Sequence, residues 1–177
     1  MKPTRQLHEL GQSLWLDNIT RTLLDDGTLA GYIERFSITG LTSNPTIFQH
    51  ALAEGDAYDA DIASAPSDRS TEQLFIDLAL ADLTRAADLF QPIHERTLGM
   101  DGWVSMEISP LLADDARGSV EAAQRIHARA ARGNLFVKIP GTPAVCWPSR
   151  NRPLPAFPSM SRCCSRASSM SPPRRHG

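Results

Sequence analysis

Leu135-Phe136-Val137-Lys138-Ile139-Pro140-Gly141 sets four large apolar residues around one lysine and follows them at once with turn formers. The run has the length and composition of a fully buried strand that ends in a loop, with Lys138 near its C-terminal end. Lys138 and Lys2 are the two lysines of the chain; every other basic residue is arginine. Burying an ammonium without a partner costs several kcal/mol, on the order of the unpaired-charge penalty. An amine in apolar surroundings is displaced towards its neutral, nucleophilic form. That is the form a Schiff-base enzyme needs. A lysine at a strand end can also simply snorkel to water.

Working outward from this strand, three further short apolar runs precede it. Ser13–Asn18 reads as a short buried strand ending in Asp17. Ile38–Thr42 is a second, followed by Ser43, Asn44 and Pro45. Gly102–Ile108 is a third, carrying Ser105 and Glu107 near its end. Helical patterns lie between them. Leu7–Gly11 opens the chain as a short amphipathic piece. Ile19–Asp26 and Thr28–Phe36 follow the first strand, with Thr28 the expected N-cap. Pro45 starts a helix through Ile47, Phe48 and Leu52. Ala53–Asp68 reads as a loop with one helical turn. Ser70 and Gln73 fit a capping box for a helix to about Phe90, with Leu74, Leu78, Ala81 and Phe75, Leu83, Ala86, Phe90 on its apolar stripe; Pro92 then restarts a short helix to Thr97. Asp114 or Asp115 caps a helix that runs to Arg132 and stops at Gly133. Strands alternating with helices, each strand short and apolar, specify an α/β chain with a parallel sheet.

Bulk properties narrow the class. The chain has 177 residues, 41% of them hydrophobic, and a formal net charge of −2. No stretch approaches the ~20 apolar residues of a membrane span, and the N-terminal residues lack a signal-peptide apolar region. The expectation is a cytoplasmic protein without membrane or nucleic-acid partners. The average conceals a break. Residues 1–144 hold all 20 acidic residues and 12 basic ones, a charge of 12 − 20 = −8. Residues 145–177 hold six arginines, six of the 13 prolines, Cys146, Cys163 and Cys164, and no acid.

Three readings compete for residues 145–177. They could form a basic arm or a metal-binding segment, although the cysteine spacing fits no zinc pattern. They could also be translated out of frame. Joining the last base of each codon to the first two of the next turns Trp147–Pro148 into alanine and Cys163–Cys164 into leucine. With degenerate positions chosen freely, Trp147 to Met170 can become A-I-E-x-x-A-x-A-G-V-P-I-N-V-T-L-L-F-S-R-E-Q-Y. That text has a helix pattern, a glycine turn and a β-branched strand, all lacking from the literal residues. The expectation is a partial barrel domain over 1–144 and a disordered, out-of-frame tail over 145–177, after a one-base deletion near codon 145.

In a βα barrel the C-terminal strand ends converge on one site. Here those ends carry Asp17; Thr42, Ser43 and Asn44; Ser105 and Glu107; and Lys138. The set offers a lysine for an imine, two carboxylates for proton transfer, and hydroxyl and amide groups to hold a polyol. Singly, each residue has an ordinary explanation: Asp17 as a turn former, Asn44 before a proline, Glu107 as a loop acid.

Four blocks of text resemble the bacterial form of transaldolase: S-L-W-L-D-N-I at Ser13–Ile19, G-L-T-S-N-P-T-I-F at Gly40–Phe48, W-V-S-M-E-I-S-P at Trp103–Pro110 and F-V-K-I-P-G-T at Phe136–Thr142. The resemblance covers roughly residues 7–144. It implies a (β/α)8 TIM barrel, of which this chain holds the N-terminal half. It implies a reaction in the pentose phosphate pathway: a dihydroxyacetone unit passes from sedoheptulose 7-phosphate to glyceraldehyde 3-phosphate, giving erythrose 4-phosphate and fructose 6-phosphate. It implies sugar-phosphate substrates and no metal or organic cofactor. Carried over residue by residue, Lys138 forms the Schiff base, Glu107 moves protons through a water, and Asp17 takes the proton of the hydroxyl whose carbon–carbon bond breaks. Asn44 holds the dihydroxyacetone carbanion, with Thr42 and Ser105 as secondary substrate contacts. The family's fifth-strand Asn and Thr and its later phosphate-binding residues have no counterpart in the literal text. An inactive chain with an unpaired sheet edge and an uncovered inner face is therefore expected. A related aldolase that releases the dihydroxyacetone unit, or a non-catalytic fragment, are the alternatives.

Overall fold

The four apolar runs become four strands, and they lie side by side in the order in which they occur. The structure is a computed structural model that describes residues 2–53 and 55–146. The strands are β1 (Leu14–Asp17), β2 (Ile38–Thr42), β3 (Trp103–Glu107) and β4 (Leu135–Lys138). They form one sheet of order β1-β2-β3-β4 with every pairing parallel. The helices are α1 (Pro3–Glu9), α2 (Arg21–Asp25), α3 (Thr28–Phe36), α4 (Pro45–Ala53), α5 (Asp59–Ser64), α6 (Thr71–Arg96), α7 (Ala116–Ala130) and α8 (Pro143–Cys146). Successive parallel strands joined by helical crossovers make this the N-terminal half of an α/β barrel. Of the expected tail, residues 145 and 146 close α8; residues 147–177 lie outside the described residues.

Strand register sorts the side chains into two faces. Trp15 is level with Gly40, and Gly40 with Trp103; Thr42 pairs Ser105, which pairs Phe136; Asp17 pairs Thr42 and Glu107 pairs Lys138. Because direction alternates along a strand, all of these residues share one face. On the opposite face Leu41, Val104, Met106, Leu135 and Val137 are buried with Leu83, Ala86, Ala87 and Phe90 of α6 and Ala123, Ile126 and Ala130 of α7. The core is thus the layer between sheet and helices.

This sorting corrects the expectation of buried strands. In β4, Leu135 and Val137 are buried while Phe136 and Lys138 are half-buried. In β1, Trp15 is 39% exposed and Asp17 is exposed too. Strands covered on both faces read as continuous apolar runs; here helices cover one face, and β1 is a sheet edge. Among the described residues no strand pairs with the outer edge of β1 or of β4. The inner face carries aromatic surface: the rings of Trp103 and Phe136 stack 3.9 Å apart and 10° from parallel, and the Trp15 ring lies over Gly40, where a Cβ would come within 2.6 Å of it.

Other local expectations change in instructive ways. Thr28 is not the N-cap of α3. Gly27 takes that place in the left-handed conformation, and Asp26 Oδ1 accepts from the Thr28 N–H at 2.8 Å. Pro92 does not restart a helix: α6 runs unbroken for 26 residues. Its missing N–H deprives the Asp88 carbonyl of a partner, and both residues are exposed, so water can serve instead. The capping box of Ser70 and Gln73 forms as expected, with bonds of 3.2 Å in both directions. Asp115 caps α7 through the Gly118 N–H at 2.9 Å. The left-handed residue that ends α7 is Ala131, at φ 49°, rather than Gly133. On α6 Ala81 is exposed and Asp82 is buried in the core.

Candidate active site

The inner face places Lys138 at the C-terminal end of β4, one strand from Glu107 and two from Thr42. Its amine meets three oxygens: Glu107 Oε1 at 2.6 Å, Thr42 Oγ1 at 3.0 Å and the Ser43 carbonyl at 2.9 Å. An ammonium has three N–H donors and no acceptor, so the three contacts satisfy it. This resolves the burial problem posed by the sequence. Lys138 is mostly covered, with 18% of its side chain exposed, but it is paired rather than isolated. Glu107, with 36% exposure, touches the amine directly.

The loop after β2 is held by a second set of bonds. Ser105 Oγ donates to Thr42 Oγ1 at 3.0 Å, and Ser43 Oγ donates to the Ser105 carbonyl at 3.0 Å. The Ser43 N–H reaches the same carbonyl at 3.3 Å. These extend β2–β3 pairing past the regular ladder, so the Ser43 carbonyl is held facing Lys138. Pro45 then opens α4, and Asn44 Oδ1 caps it through the Ile47 N–H at 2.9 Å. The carbonyl end of the Asn44 amide is used by the helix, which leaves its NH2 end for other partners. From the sequence Ser43 entered only as one of the polar residues at the end of β2, through its hydroxyl. What it presents to the lysine is a backbone carbonyl, which no residue type advertises.

Lys138, Glu107, Thr42 and Ser105 therefore come together. Asn44 stands one residue beyond them, beside Glu107 around a pocket of about 20 Å³. Asp17 lies on the same face, level with Thr42 but three strands from Lys138, and forms no ion pair among the described residues. A cleft of about 270 Å³ opens beside Glu107 and Lys138, walled by Pro110, Pro140 and Gly141. Chemically, the arrangement can hold an amine nucleophile, supply an adjacent carboxylate for its proton, and present hydroxyls to a polar substrate. Among the described residues no group of three or more His, Cys, Asp or Glu is placed to hold a metal ion, and no helix is long and apolar enough to cross a membrane.

Residues 14–147 match the family model described as transaldolase/fructose-6-phosphate aldolase. The chain belongs to this family. It is 45% identical over 144 residues to a transaldolase of Thiobacillus denitrificans, covering 81% of this chain and 40% of that protein. With a Neisseria gonorrhoeae transaldolase it shares 46% identity over 137 residues, covering 76% and 38% of the two. With a Trichodesmium erythraeum transaldolase it shares 40% over 139 residues, covering 78% and 37%. The chain thus spans about two fifths of the curated relatives it matches. The family match covers all four strands and every residue that meets Lys138.

Proposed function

We propose that this chain carries the imine-forming part of a transaldolase site acting on sugar phosphates in the cytoplasmic pentose phosphate pathway. The observation that carries the reading is the Lys138 amine held between Glu107, Thr42 and the Ser43 carbonyl at a strand's C-terminal end. Glu107 takes a proton from the ammonium, and the free amine adds to the ketose carbonyl. Glu107 returns the proton to the carbinolamine oxygen, which leaves as water, and the protonated imine becomes the electron sink. Asp17 takes the proton of the hydroxyl on the far side of the bond that breaks. The electron pair of that bond moves into the imine as an enamine, and the aldose phosphate leaves. Thr42, Ser105 and the Asn44 NH2 hold the three-carbon unit until an acceptor aldehyde arrives.

The reading extends to the rest of the chain. Residues 145–177 are out of frame, so the contacts that would seat the phosphate are not encoded and turnover is low or absent. Resequencing the gene tests this part: an intact frame with unrelated codons removes it. The chemistry is tested by borohydride reduction with fructose 6-phosphate, followed by peptide mass spectrometry. A reduced adduct on Lys138 is expected; a folded chain that gives none overturns the reading. The family description also covers fructose-6-phosphate aldolase. Free dihydroxyacetone, formed without an acceptor, would favour that second reaction.

A further inference from the structure

The three oxygens around the Lys138 amine differ in what they can do with a proton. Glu107 Oε1, at 2.6 Å, is a carboxylate oxygen that can take a proton and return it. Thr42 Oγ1, at 3.0 Å, belongs to a hydroxyl, which accepts one hydrogen bond while donating another. The Ser43 carbonyl, at 2.9 Å, only accepts, and it is far too weak a base to keep a proton. Imine formation sorts the three. An ammonium and a ketone give an iminium and water. Two of the three ammonium hydrogens therefore leave with the ketone oxygen, and one stays on the nitrogen. We propose that the hydrogen that stays is the one bonded to the Ser43 carbonyl, and that this carbonyl, aimed by the Ser43 hydroxyl, holds the iminium in a single orientation. This assignment rests on the imine chemistry proposed for Lys138.

Proton chemistry, position and rigidity agree on this choice. The iminium is an electron sink only while its nitrogen is protonated. A carbonyl that cannot remove that proton preserves the sink, whereas Glu107 has to be free to protonate the carbinolamine oxygen. The two departing hydrogens point at Glu107 and Thr42. The carbon that replaces them on the nitrogen takes their side, between the carboxylate and the hydroxyl. There Glu107 returns one hydrogen to the carbinolamine oxygen, and the Thr42 hydroxyl relays the other as the oxygen leaves in water. The Ser43 carbonyl is also held from both ends. Ser43 is 5% exposed, and its Oγ and N–H both donate to the Ser105 carbonyl, at 3.0 and 3.3 Å. On the other side of the same peptide, Asn44 is tied into the start of α4 through the Ile47 and Phe48 N–H groups. A donor aimed at a fixed carbonyl cannot swing, so the C=N bond cannot swing either.

The test traps the imine of the 177-residue chain with fructose 6-phosphate and borohydride, then separates the two C2 epimers of the hexitol phosphate joined to Lys138. An iminium held in one orientation shows one face to hydride, so one epimer is expected in about tenfold excess. In Ser43→Ala the carbonyl loses its hydroxyl anchor. The epimer ratio is then expected to fall to within about twofold of equality, and trapping to slow about tenfold. Ser43→Thr keeps the hydroxyl and is expected to keep both the ratio and the rate. A merely structural role for Ser43 would lower the yield of adduct without changing its stereochemistry, and that result would overturn the proposal. Equal epimers from the wild-type chain would overturn it as well, whether or not Ser43→Ala folds. So would a Ser43→Thr chain with a scrambled ratio. A folded wild-type chain that gives no Lys138 adduct is a different result: it removes the imine reading and this assignment with it.

Discussion

Tyr58 donates its hydroxyl proton to Asp82 at 2.7 Å, and Asp82 is a carboxylate with no exposed surface. Arg21 Nε supplies the second bond to Asp82 at 3.0 Å, and the Arg21 N–H donates to the Tyr58 oxygen at 3.1 Å. The start of α2, the start of α5 and the middle of α6 are joined through these three side chains. Burial, then the bond to Asp82, raises the Tyr58 phenol above its usual range. An unfolded tyrosine ionises near pH 10, while the folded one keeps its proton. Stability from this site is therefore complete below about pH 10 and falls as pH rises further. Tyr58→Phe should flatten that alkaline limb and cost about 1–3 kcal/mol at neutral pH, since it leaves Asp82 with one partner fewer. Urea titrations at pH 7 and across pH 9.5–11 would check both.

Gly102 sits at φ 80°, just before β3, and a Cβ there would lie 2.3 Å from the backbone nitrogen of His94. Neither α6 nor the strand can yield independently, because Gly102 N–H also bonds the Thr39 carbonyl at 2.7 Å. Gly102→Ala combines a left-handed backbone penalty of roughly 1–2 kcal/mol with a collision against a helix. We expect a loss above about 3 kcal/mol, measured as a drop in the urea midpoint. Gly133→Ala, where a Cβ would meet open space, is the control and should be close to neutral.

Asn134 is fully buried, and its Nδ2 donates to the Ala87 carbonyl at 2.8 Å and the Gly102 carbonyl at 2.9 Å. One side chain thus ties α6, the approach to β3 and the approach to β4. Asn134→Ala strands two buried carbonyls and should cost about 2–5 kcal/mol. Asn134→Asp replaces donors by acceptors facing the same carbonyls and should be at least as damaging near neutral pH. Thermal melts of the two variants would rank them.

The proposed roles of the two carboxylates separate in a trapping experiment. Glu107 touches the Lys138 nitrogen, so Glu107→Gln should slow formation of the borohydride-trapped adduct about 100-fold or more. Asp17 acts after the imine exists, so Asp17→Asn should leave trapping largely intact while reducing release of the aldose phosphate. Equal slowing of trapping by both variants would reject this division of labour.

Strand positions, the parallel sheet and the meeting of Lys138 with Glu107, Thr42 and Ser105 were legible because each follows from local pattern and strand-end geometry. Solvation of the faces was not. Leu135-Phe136-Val137 reads as uniformly apolar, and only the arrangement of helices shows that Phe136, with Lys138, lies on the face away from them. Asp82 was hidden for a different reason: a carboxylate on a helix reads as solvated until Tyr58 and Arg21, distant in sequence, converge on it. The end of α7 misled because Gly133 is the better residue for a left-handed cap, yet Ala131 adopts that conformation two residues earlier.

The sheet's order, β1-β2-β3-β4, is also the order of synthesis. Each strand after β1, as it is made, finds a neighbour already present. Loop closure spans only one crossover at a time, which keeps its entropy cost small. A nascent chain can therefore add one strand–helix unit after another as it leaves the ribosome. Among the described strands the one holding Lys138 is the last to dock, so the amine that meets Glu107 and Thr42 reports that β2 and β3 are already in place.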